Sequence, residues 1–184
     1  MMRSAERRDH KDRLERLRIL CAYGDFAPGW MEGLAYEYRE EARLCWYIGA
    51  FVAAIVMSQL AFEEVLRSHY RAAGRRQWES QRLLPLDKTG FTTLIDKTHE
   101  DGLITPREAA SLHELRKDYR NPFVHPHGVR KDATKPDFFR QHMKIVAPQS
   151  VGESVELEAK KTIILLIRLL PKICRRSFCL HSDG

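Results

Sequence analysis

The sequence predicts an all-α protein, an up-and-down bundle of about five main helices. Three observations carry that expectation. No stretch sustains the period-two alternation of a half-buried strand, whereas apolar residues recur at helical spacing in several segments. Thr105-Pro106-Arg107-Glu108 is a helix start with a mechanism: Thr105 caps, Pro106 suits the first helical position, and Glu108 completes a capping box. The chain has 184 residues, 43% of them hydrophobic and 30% charged, which suits one globular domain with a sizeable core rather than a disordered chain.

Taken in order, residues 3–22 are dense in both charge signs, with Leu14, Leu17 and Cys21 at helical spacing, and predict a peripheral amphipathic helix. Its basic residues can meet nucleic acid, but the interleaved acids favour a solvated face. Gly24 to Gly29 reads as a loop. A second helix is expected over Met31–Ile48, packing through Leu34, Tyr38, Leu44 and Tyr47, with Gly49 ending it or marking a tight corner. A third, over about Ala50–Ala73, is apolar nearly all round in its first half, as a central core helix is. Residues 74–90 read as a connector. Phe91, Leu94 and Ile95 mark a short helix ending near Gly102. The helix from Pro106 turns Ala109, Leu112, Leu115 and Tyr119 to the core and delivers Arg120 at its end. Residues 128–152 form a polar, loop-like insertion, with a short helix expected around Phe138–Met143, and Glu153–Arg176 is the closing helix, with Leu157, Ile164, Ile167 and Leu170 on one side. The domain organisation expected is a charged N-terminal helix and loop over 1–29 and a helical bundle over 30–184 carrying the insertion 128–152.

Composition narrows the function classes. The formal charge of +6 suits an anionic partner such as RNA without identifying one. Cys21, Cys45, Cys174 and Cys179 form no CxxC, and Cys21 and Cys45 fall in expected helices as small hydrophobes, so a disulfide framework is not expected. Eight histidines and four cysteines raise the question of zinc, but their spacings match no metal-ligand pattern, and no metal or cofactor is expected. Leu44–Phe62 carries no formal charge, which raises a membrane span. Gly49 divides that run, Ser58 and Gln59 are polar and Glu63-Glu64 follow, so a buried core helix is the expectation. The charged N-terminal stretch has no apolar core of a signal peptide, and the expected location is cytoplasmic.

The chemistry concentrates in HELRKDYRNPFVHPH, residues 113–127. Arg120 and His125 stand five positions apart across Pro122, a spacing that separates them on a straight helix. Asn121 is a favoured cap and Pro122 a favoured first residue, so a new turn can start after Arg120, while Pro126 disfavours helix at His125. A break of that kind can bring both side chains into one cavity. Arg offers a planar fork to phosphate oxygens, and His moves protons near neutral pH. The plainer reading is that both merely satisfy carbonyls at a helix end. On the core helix, Gln59 and Glu63 share a face. Glu63 can pair with and orient Arg120, or point to solvent beside Glu64.

These residues resemble the HEPN superfamily (higher eukaryotes and prokaryotes nucleotide-binding), whose hallmark is Arg-Asn-x-x-x-His. Arg120-Asn121-Pro122-Phe123-Val124-His125 matches it, and LHELRKDYRN resembles the usual lead-in. A second match is Gly49-Ala50-Phe51 followed by Gln59, Ala61, Glu63, Leu66 and Arg67, similar to the family's early Gly-x-aromatic and Gln-x-Ala-x-Glu-x-x-Leu-Lys pattern. Together they span about residues 31–127. The resemblance implies a helical bundle, commonly a homodimer, and in many members metal-independent RNA cleavage in defence, toxin–antitoxin or RNA-processing systems, with an antitoxin or nucleotidyltransferase-type protein as a further partner. Other members have lost catalysis and bind RNA, nucleotide or protein, which is the alternative expectation here. Under the nuclease reading Arg120 and His125 are catalytic, with Asn121 and Glu63 in support. The long polar insertion after His127 departs from the family's compact pattern.

Overall fold

The computed structural model describes residues 2–22, 33–77, 89–120 and 148–182, with side chains for 8–22, 33–71, 89–117 and 155–177. The described residues contain no strand and form an all-α bundle. Six α-helices appear: α1 (Met2–Cys21), α2 (Leu34–Ile48), α3 (Phe51–Gln77), α4 (Phe91–Glu100), α5 (Pro106–Glu114) and α6 (Pro148–Ser182). A π-helical turn, Leu115–Arg120, continues α5. α3 is the hub, packing against α2, α4, α6 and the π turn. Its buried side includes Ala54, Ile55, Ala61, Phe62 and Leu66, which meet Ile163, Leu166 and Leu170 of α6 in one core. None of the described helices is long and apolar enough to cross a membrane.

The α2–α3 corner follows from Gly49. Its φ of 83° is left-handed, and its N–H reaches the Trp46 carbonyl at 3.1 Å while the Ala50 N–H reaches that of Cys45 at 2.8 Å. This paired capping closes α2 and lets α3 begin two residues later. The α5 start is as its sequence predicts: the Thr105 hydroxyl accepts from the Glu108 N–H at 3.3 Å, and the Glu108 carboxylate accepts from the Thr105 N–H at 2.8 Å.

The faces of α1 and α2 differ from expectation. Leu14 and Leu17 are 44% and 42% exposed and Cys21 is exposed, whereas Arg16 and Leu20 are buried. Arg16 explains the rotation. Its Nη1 donates to the Tyr47 carbonyl at 2.9 Å, its guanidinium stacks 5.4 Å from the Phe51 ring centroid, and Glu156 stands 4.0 Å away. The Trp46 indole N–H returns a bond to the Arg16 carbonyl at 3.3 Å. A carbonyl left over at a helix end and an aromatic face suit a guanidinium better than they suit leucine. In α2, Leu34 and Leu44 are exposed and Tyr38 and Tyr47 half-buried, while Ala35, Arg39, Ala42, Cys45 and Trp46 are buried. The buried side of α2 thus mixes the small Ala35, Ala42 and Cys45 with Trp46 and Arg39, and Leu34 and Leu44 face out.

The bounds of three helices also differ. α2 starts at Leu34. α3 runs through Gln77, so 74–77 are helical where a connector was expected; Arg75, Arg76 and Gln77 are good helix formers that outweigh the roughly 1 kcal/mol cost of Gly74. α6 starts at Pro148 and ends at Ser182, so 148–152 of the expected insertion belong to it. Pro148 fits because an initial helical residue needs no N–H partner. On α6, Leu157 is exposed and Ile164 half-buried, while Ile167 and Leu170 are buried as expected. The loop expected over 24–29 and the helix around 138–143 lie outside the described residues.

Candidate functional site

The approach to the motif is a change of helix type. α5 is α-helical through Glu114 and widens to a π turn over Leu115–Arg120. π turns inside helices are rare and frequently mark functional sites. Leu115 is fully buried and anchors the turn. Arg116 is half-buried, and its Nε is buried with no hydrogen bond. Arg120 ends the turn. Its side chain and residues Asn121 to His125 lie outside the described residues, and so does the Tyr119 side chain. The cavity expected to join Arg120 and His125 therefore falls outside them too.

On the facing helix α3, Gln59, Glu63 and Arg67 stand four apart and share one side. Gln59 is 2% exposed and its Oε1 has no hydrogen bond. Glu63 is neither in solvent nor beside an unpaired neighbour. Its Oε1 takes Arg67 Nη2 at 2.6 Å, and the same Nη2 donates to the Thr89 carbonyl at 2.8 Å. Glu63 thus fixes a guanidinium of its own helix and, through it, the chain entering α4. Glu64 pairs with Arg71 at 2.5 Å. Arg67 entered the sequence reading only as part of the family-like pattern; its four-residue offset from Glu63 was the available signal.

Two further polar ties hold the bundle. The Arg176 guanidinium donates to Glu108 at 2.7 Å and to the Leu103 carbonyl at 3.0 Å, locking α6 onto the α5 cap. Burial pushes the Glu108 carboxyl up, but Arg176 and the Thr105 N–H and hydroxyl outweigh it, and its pKa is lowered overall. His69 Nδ1 and Ser177 Oγ are 2.7 Å apart, with the His69 ring edge-on to Tyr70, whose hydroxyl donates to Asp101 at 2.7 Å. Burial, then Asp101, hold the Tyr70 hydroxyl protonated. Sequence reasoning did not single out the His69–Ser177 pair; it bridges α3 and α6 through residues 108 positions apart. Burial pushes the Cys174 thiol to about 12 and raises that of Cys45, so neither is a ready nucleophile.

No family model matches the chain, and neither does any curated protein or solved structure at a significant level. Glu63 is held by Arg67, and the imidazole of the motif is that of His125.

Proposed function

We propose that the chain is a metal-independent endoribonuclease of HEPN type. The observation that carries this reading is the sequence motif Arg120-Asn121-x-x-x-His125, whose Arg120 is the last residue of a π turn packed on the helix that carries Gln59, Glu63 and Arg67. In RNA the 2′-OH lies beside its own 3′ phosphate. The 2′ oxygen forms a bond to phosphorus, the bond to the 5′ oxygen breaks, and the products are a 2′,3′-cyclic phosphate and a 5′-OH. His125 takes the 2′ proton, and a second imidazole gives one to the leaving oxygen. Arg120 binds the phosphate and stabilises the added negative charge, and Asn121 orients the turn. A homodimer brings a second His125 into the cleft. The setting that suits this activity is cytoplasmic, in a defence, toxin or RNA-processing role, with an antitoxin or nucleotidyltransferase-type protein as a further partner.

The test is a labelled single-stranded RNA with chelator present. Cleavage to a cyclic phosphate is expected, with DNA inert. His125→Ala should lose about 10²–10⁴-fold. Arg120→Lys should rescue Arg120→Ala poorly, because a point charge does not reproduce the fork. His127→Ala, outside the motif, should keep most activity. Intact RNA across varied sequences would overturn the nuclease reading in favour of a binding module.

A further inference from the structure

The exposed ridge of α6 is uniform in a way no other described helix is. Between Ala159 and Ser177 the only exposed positions are Lys161, Arg168, Lys172 and Arg175. All four are cations. At 3.6 residues per turn they fall within a sector of about 60°, and at 1.5 Å per residue they form a line about 21 Å long. Lys161 meets Glu158 at 3.0 Å, at the N-terminal end of the line. The ridge from Arg168 to Arg175 carries no exposed acid.

An amphipathic helix commonly puts charges outward for solubility, and α1 shows what that looks like here. Its exposed positions mix Asp9, Lys11, Asp12, Arg13 and Glu15. On α6 the signs are segregated instead. Cations at 168, 172 and 175 rise only about 6 and 4.5 Å apart along the axis, inside a Debye length of about 8 Å, so their potentials add. A linear polyanion laid along the ridge meets that summed potential and releases counterions.

We infer that this ridge is a track for the sugar–phosphate backbone of single-stranded RNA. A membrane surface fits it less well, since a helix lying in a bilayer interface needs its apolar side free, and that side of α6 is packed against α3. The track is rigidly held relative to the α5 cap by Arg176 on Glu108 and relative to α3 by His69 on Ser177. It contacts phosphates and not bases, so it reads no sequence and takes single-stranded DNA as readily as RNA. The choice of RNA rests on the endoribonuclease reading; the ridge itself does not.

The experiment measures fluorescence anisotropy of a labelled 2′-O-methyl RNA oligonucleotide, which the 2′-OH mechanism leaves intact, with the full chain across a salt series. The triple variant Arg168→Gln, Lys172→Gln, Arg175→Gln should bind at least roughly tenfold more weakly, and its log K against log salt slope should flatten by about 2, from about 0.7 per phosphate contact. The triple Arg8→Gln, Lys11→Gln, Arg18→Gln on α1 removes the same charge and should stay within about twofold, since scattered surface cations contribute only a screened long-range term. If the α6 triple does not fold, Lys172→Gln alone should flatten the slope by about 0.7. Equal losses in the two triples, no loss in either, no RNA binding by the wild type, or ridge-dependent capture of anionic phospholipid vesicles without RNA binding would each overturn the track. Ridge-dependent binding with unmodified RNA left intact in the cleavage assay sinks the nuclease reading alone, and cleavage of unmodified RNA with ridge-independent binding sinks the track alone.

Discussion

At Gly49 two constraints coincide. Its φ of 83° disfavours any side chain, and a Cβ built there would stand 2.8 Å from Arg16 Nη1. Gly49→Ala should therefore cost about 1–3 kcal/mol in urea unfolding, from left-handed strain plus displacement of Arg16 from the Tyr47 carbonyl. In an Arg16→Ala background the second part is gone and the cost should shrink towards the strain alone; an unchanged cost would show that Arg16 gives way freely. Glu63 and Glu64 make a second residue-scale comparison. Glu63 and Arg67 are both largely buried, at 21% and 13% side-chain exposure, whereas Arg71, the partner of Glu64, is 49% exposed. Glu63→Gln should destabilise by about 1–2 kcal/mol and Glu64→Gln by less than about 1, read as melting shifts. With Glu63 paired to Arg67, RNA cleavage by the Glu63→Gln variant should survive at matched folding; a specific loss of turnover would instead point to the expected link from Glu63 to Arg120.

At the scale of elements, the α5 cap and α6 are joined by one carboxylate, and that makes their docking acid-sensitive. The Glu108 pKa is lowered in the folded chain, against its burial, by Arg176 and by the Thr105 N–H and hydroxyl. A depressed carboxyl contributes stability that is fully present above its unfolded value and is lost as pH falls through the folded one. Stability should thus decline on acidification from the ordinary carboxylate range downward, and Glu108→Gln should remove that part of the slope; an identical pH profile in the variant would reject it. The cap was legible in the sequence because capping is local: Thr105, Pro106 and Glu108 are within one turn. The outward faces of α1 and α2 were not, because Arg16 is buried by groups on α2, α3 and α6 that no local window contains. The π turn was equally hidden, since Leu115–Arg120 consists of residues that an ordinary α-helix accepts. Of the candidate site, Arg120, Asn121 and His125 were recognisable as a motif, whereas the Glu63–Arg67–Thr89 tie required the fold.

At the scale of the whole molecule, one imidazole per motif is too few for a step that needs both an acid and a base, which is why the proposed nuclease is a homodimer. Leu34, Leu44 and Ile48 lie exposed on one side of α2, adding apolar surface that a second copy can cover. Two-fold pairing makes a quantitative prediction about mixed chains. If each cleft uses His125 from both copies, a dimer of one wild-type and one His125→Ala chain is inactive. Co-refolded at fixed total concentration, a mixture with wild-type fraction f then retains activity as f², so an equal mixture keeps about a quarter of the wild-type rate under random two-fold pairing. If each chain cleaves alone, the same mixture keeps about half, as in two populations that ignore each other. His127→Ala chains, which leave the motif intact, should not dilute activity in this way. Sedimentation of the same mixtures at twice the single-chain mass is required for the quadratic law to apply, and a linear decline at that mass would place acid and base within one chain.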